Sequence, residues 1–257
     1  MLNANGAGRG ATTGRGVARA HSRIACSAAV FLASACAGLA GVAQAATRYP
    51  AMAPVAEYLI ADRSAEIALA RSAAPPSVSG DAEVLVLGPH GYVSAAPGKN
   101  GFVCLVERAW FSGVLDDGFW NPKLRGPDCY NREAARSVLP TFLTRTKWVL
   151  AGASQAEIQA RTRAAMAAGR IHPAEAGAMN FMLSKDGYLG DDAGGPWHPH
   201  LMFYTPPIPT ADWGANLPGT RVMGTDAGVD PYTIFYIPVT RWSDGTPDAD
   251  QGAKHQM

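Results

Sequence analysis

Apolar positions in this chain recur with two different periods. Over residues 55–73, Leu59, Ile60, Ile67 and Leu69 stand among alanines, with Glu57, Asp62, Arg63, Glu66 and Arg71 between them. That spacing predicts a helix with its charged residues outward, ended by Pro75-Pro76. Asn131 caps a short expected helix through Leu139. Ser154-Gln155-Ala156-Glu157 is a capping-box pattern opening an alanine-rich helix that runs to Ala168 and stops at Gly169. Strand-like runs are expected at 83–87, 92–95, 102–111, 146–150, 178–184, 198–204 and 233–240, the last with Pro238 at an edge or bulge. Asn100-Gly101 separates the second run from the third. Both residues accept positive φ, so the pair predicts a β-hairpin there. On the third run Phe102, Cys104, Val106, Arg108 and Trp110 share one face, and Val103, Leu105, Glu107 and Ala109 the other. Residues 112–130, rich in Gly, Asp, Asn and Pro, read as a loop. Helices and strands mix without regular alternation. The expected fold is therefore α+β: a single domain with a mainly antiparallel sheet, the hairpin around Asn100-Gly101 and two or more flanking helices.

A different pattern occupies the N-terminus. Residues 24–45 are almost wholly apolar or small, and Arg9, Arg15, Arg19 and Arg23 precede them without an acidic residue. A basic region, an apolar run and the small-x-small end Ala43-Gln44-Ala45 predict a secretory signal peptide cleaved between Ala45 and Ala46. The run approaches the roughly 20 residues that span a bilayer. Its Ala, Gly and Ser content makes it only weakly hydrophobic, which disfavours an uncleaved anchor. A lipid anchor at Cys36 is disfavoured because apolar residues, not a polar tether, follow it. The expected organisation is a signal peptide over 1–45, a globular domain over 46–242 and a polar disordered tail over 243–257. The product is then periplasmic or secreted, with no transmembrane segment in the mature chain.

Processing changes the charge. Of 22 basic residues the leader removes four, leaving 18 against 21 acidic ones, a balance of −3. Such a surface offers no footprint for nucleic acid. An apolar fraction of 47% is ordinary for a globular protein. Cys26 and Cys36 leave with the leader. Cys104 and Cys129 remain, an even pair in an oxidising compartment, and are read as one disulfide. The rival reading is a catalytic thiol, but neither cysteine has a histidine beside it in sequence.

The chain carries no Gly-x-Ser-x-Gly elbow, His-Glu-x-x-His, phosphate loop or strand-linked Gly-x-Gly-x-x-Gly. Its strongest motif is Asp191-Asp192 followed by Trp197-His198-Pro199-His200. On an extended strand His198 and His200 project to one side, about 6 to 7 Å apart, and Asp192 or Asp191 can add a carboxylate. That set can hold one divalent ion such as zinc, which activates water or polarises a carbonyl. The plainer reading makes both histidines polar residues at a strand entrance, with no cofactor. Trp120, Trp197 and Trp213 lie beside turn residues and can form a binding platform for a cell-envelope polymer or small molecule. Sealing of the core is the favoured alternative for them. Glu107 is either a partly buried carboxylate with an elevated pKa or an edge residue in water, the latter preferred.

Four strings carry a resemblance: 66–76 (Glu66 to Pro76), Asn100-Gly101-Phe102-Val103-Cys104-Leu105-Val106-Glu107-Arg108, Trp120-Asn121-Pro122-Lys123, and His200-Leu201-Met202-Phe203-Tyr204-Thr205-Pro206. The chain resembles a group of uncharacterised exported bacterial proteins. The resemblance implies a single secreted or periplasmic domain and transfers no functional residue. The expected function is a disulfide-bonded, non-catalytic binding or envelope role. The alternative is a metal-dependent hydrolase built on His198 and His200.

Overall fold

The computed structural model describes residues 48–191 and 198–249. Ala45, Ala46, Asp192 and Trp197 lie outside the described residues. Eight strands occur among the described residues: β1 (Glu83–Gly88), β2 (Gly91–Ala96), β3 (Val103–Glu107), β4 (Gly126–Tyr130), β5 (Met179–Met182), β6 (His200–Thr205), β7 (Met223–Thr225) and β8 (Thr233–Pro238). They form one sheet in the order β2-β1-β3-β4-β5-β6-β8-β7. β1 and β3 run parallel, and every other described pairing is antiparallel. Five helices accompany the sheet: α1 (Arg63–Arg71), α2 (Pro76–Ser79), α3 (Arg132–Ser137), α4 (Leu139–Leu150) and α5 (Gln155–Ala167). The architecture is α+β, and all described residues belong to one compact unit.

Side-chain alternation on β3 divides the core. Cys104 and Val106 face α1 and pack with Ala70, Ala73, Val84, Val86 and Cys129. Leu105 faces the other way and joins Tyr130, Phe142, Met202, Tyr204 and Tyr232 beneath α3 and α4. Cys104 and Cys129 sit opposite one another in the β3–β4 register and are joined by a disulfide. No described helix is long and apolar enough to cross a membrane.

Local sequence explains several elements. Ser154 and Glu157 make the reciprocal capping box that starts α5. Asn131 accepts the Ala134 N–H to start α3. Other elements depart from expectation. The hairpin forms between β1 and β2 across Gly88 and Gly91, where Gly91 takes a φ of 128°. Gly101 also has positive φ, at 83°, but Asn100-Gly101 connects β2 to β3, which are not neighbours in the sheet. The Asn100 side chain bonds Val78 O and Phe102 N instead, so the turn serves a crossover past β1.

Residues 146–150, expected as a strand, complete α4. The helix expected over 55–73 breaks at Tyr58, whose side chain is buried, into a 3₁₀ turn (Val55–Glu57) and α1. Within the supposed loop 112–130, residues 126–130 form β4. Strand alternation after Glu107 gives way to a 3₁₀ turn (Ala109–Phe111), which sends Trp110 into the same cluster as Leu105. Residues 243–249, expected as part of a free tail, fold back: Ser243 N donates to Leu183 O, and Asp248 is buried.

Glu66, expected to face water, is buried with Arg108 at 2.8 Å. Arg108 also donates to Tyr58 O, and Glu66 accepts from Leu87 N. This is a buried ion pair with its spare hydrogen-bonding groups satisfied, the condition under which such a pair is tolerated.

Candidate functional site

On the α4 side of the sheet lies a cleft of about 620 Å³. β5, β6 and β8 supply its floor through Met182, Met202, Tyr204, Ile234 and Tyr236. Phe111 and Phe142 form a wall, and segments 112–116 and 225–230 form the rim. Arg145 ties the two rim segments together from α4. It is fully buried, donates to Trp110 O and Ser112 O at 3.1 and 3.2 Å, and pairs with Asp230.

At the end of β3, Glu107 reaches this cleft almost without exposure to water. Its register partner is Gly126, where a Cβ would stand 3.4 Å from that of Glu107 and 3.2 Å from Met182 Cε. Glycine at that position leaves room for the Glu107 side chain. Tyr130 donates to Glu107 Oε1 at 2.6 Å. Beneath it, the fully buried Asp128 accepts from Asn180 Nδ2 through Oδ2 at 2.6 Å, and the same amide donates to Tyr204 Oη at 2.9 Å.

Asp128 and Glu107 lie within reach of each other on the same face of the sheet. Burial raises the pKa of both. Asp128 is held well above the usual carboxylate range by burial and by the Glu107 carboxyl beside it. The bond from Tyr130 partly offsets the rise at Glu107. Asp128 Oδ1 closes no hydrogen bond. The arrangement is two carboxyl groups side by side, shielded from solvent and opening on an apolar-walled cavity, where burial and mutual repulsion oppose ionisation of both. Burial together with the charges of Asp128 and Glu107 raises Tyr130 and Tyr204 well above the ordinary phenol range, so both are neutral donors.

His200 lines the cleft beside Tyr236, with ring centroids 5.9 Å apart. Its Nδ1 lies 2.9 Å from His198 O, and a carbonyl only accepts, so the proton is on Nδ1. Burial first, then the bond and charge of His198, set its pKa, with a net lowering that favours the neutral ring. His198 turns instead to Asp248, Nδ1 to Oδ2 at 2.8 Å. Asp191 is held by Arg48, Tyr49 and Tyr188. The structure thus gives His198, His200 and Asp191 different partners. Among the described residues no three His, Cys, Asp or Glu side chains are grouped so as to hold a metal.

The tryptophans also part company. Trp120 is buried against Phe119, with its carbonyl accepting from Tyr58. Trp213 is 44% exposed and stacks on Phe235 at 4.2 Å. Phe235 alternates with Ile234 and Tyr236 on β8, so Trp213 lies across the sheet from the cleft.

Sequence reasoning named Glu107 and His200 but missed Asp128, Tyr130, Asn180 and Arg145. Alternation in Pro127-Asp128-Cys129-Tyr130, with Cys129 opposite Cys104, is the one local signal that placed Asp128 on the face of Leu105. No protein-family model, curated protein or solved structure matches the chain.

Proposed function

We propose that this protein is exported and that its disulfide-bonded domain binds a small organic molecule in the cleft. The observation that carries this reading is a pair of carboxyl groups kept dry at the floor of an aromatic-walled cavity. Burying carboxylates opposes folding unless they are compensated, so a pair opening on a cavity suits recognition better than stability. Concave, mostly apolar sites with a few convergent polar groups are the usual form of small-molecule sites. The leader over 1–45 and the oxidised cysteines support export. The alternative of a metal-dependent hydrolase draws no support from the described residues, among which no three His, Cys, Asp or Glu side chains are grouped to hold an ion.

Fragment screening by NMR tests the binding reading. Hits are expected to shift the Met182 and Met202 methyl signals, and Ala227→Trp, which fills the rim, should abolish those shifts. Hits that persist unchanged in Ala227→Trp, or the absence of any hit at those methyls, would overturn it.

A further inference from the structure

The cleft is unbalanced in charge. Among the described residues, four carboxylates line it (Glu107, Asp116, Asp226 and Asp230), against a single arginine or lysine, Arg163, which stands exposed on α5. One of these four carboxylates is already paired, and the other nearby guanidinium is committed elsewhere. Arg145 pairs with Asp230, and Arg108 with Glu66. The bond that reaches Glu107 comes from the neutral hydroxyl of Tyr130. A second observation is independent of the acids. The Tyr232 hydroxyl, on the cleft wall and 1% exposed, has no partner in hydrogen-bonding geometry. It is a buried oxygen that a donor group would satisfy. The walls between these oxygens are aromatic: Phe111, Phe142, Tyr204 and Tyr236.

Resting on the reading that the cleft holds a small organic molecule, we propose that this molecule is an organic cation, an amine bearing a compact apolar group, with its ammonium between Glu107 and the tyrosine rings. A desolvated carboxylate with no cation beside it gains most from a ligand that brings one. Ring faces within reach add about 0.5–2 kcal/mol for a desolvated cation. The apolar group fills the space above Met202 and Ile234. A neutral ligand of the same shape leaves Glu107 uncompensated, and an anion meets the acidic groups Glu107, Asp116 and Asp226.

Isothermal titration with 2-phenylethylamine, 2-phenylethanol and phenylacetate separates these cases. The amine is expected to bind at least about tenfold more tightly than the alcohol, a difference of ~1.4 kcal/mol, with phenylacetate weakest. Glu107→Gln, checked for a native melting transition, should bring amine and alcohol within about threefold, or ~0.7 kcal/mol. Equal or tighter binding of the alcohol overturns the cation inference while leaving the cleft as a binding site. An amine preference that survives in Glu107→Gln overturns the role of Glu107. Failure of all three probes to bind, together with fragment hits at the cleft methyls, overturns the cation inference alone. Failure of both experiments overturns the binding reading as well.

Discussion

Burial of Glu107 beside Asp128 has a cost that depends on pH. Both folded pKa values are raised above those of the unfolded chain. Below the ordinary carboxylate range both states are protonated and nothing is lost. As pH rises through that range, the unfolded chain releases protons that the folded pair keeps, so stability falls until the raised folded values are passed. Burial moves Asp116 and Asp230 in the same direction. Glu107→Gln retains the acceptor for Tyr130 and removes the charge. It should melt higher than the parent at neutral pH, by about 2–4 °C for each kcal/mol regained, with the margin closing near about pH 3–4. Thermal melts across pH would show it, and an unchanged or lowered melting point at neutral pH would count against a desolvated charge. Alternation along β3 was enough to put Glu107 on the face of Leu105. That the face was dry depended on β4, whose five residues are too short and too glycine- and proline-marked to read as a strand. Glu66 failed as a surface residue for a similar reason: its partner Arg108 is 42 positions away.

Helix starts were the most readable elements, because a cap is a contact between residues three apart. The two capping residues do different amounts of work. Ser154 closes a box on an exposed helix end. Asn131 accepts from both Ala134 N and Met179 N and donates to Gly177 O, tying α3 to β5. Ser154→Ala should therefore cost about 1 kcal/mol, and Asn131→Ala about 2 kcal/mol or more, since it breaks further bonds. Urea denaturation decides the order, and a larger loss for Ser154→Ala would contradict the tertiary role of Asn131. Asn100-Gly101 was misread because its positive-φ signal is purely local. It reports that the chain turns, and has no term for which strand lies alongside after the turn. β1 hydrogen-bonds to β2 through Gly91 on one edge and to β3 on the other, so the crossover is settled by three strands at once.

For the molecule as a whole, the disulfide joins the two strands that carry the carboxylate pair, Glu107 on β3 and Asp128 on β4. The bridge closes a separation of 25 residues, worth about 3–4 kcal/mol by chain entropy. Mass spectrometry of the native product should find an N-terminus at Ala46 and both cysteines protected from alkylation. Reduction should lower stability by about that amount and loosen the cleft with it. An intact leader with both thiols open to alkylation would refute export.

The sequence by itself determined the α+β class, the capped helices, the cysteine pair and the leader pattern, since each rests on composition or on spacings of a few residues. The tertiary structure decided strand order, the parallel crossover and the cleft. It also decided the separate fates of His198 and His200, which found different partners, and of Trp120 and Trp213, which went to a core and to the far side of the sheet. Those outcomes depend on which distant side chains remove water from one another, and desolvation is a property of the assembled neighbourhood that no short window of the chain contains.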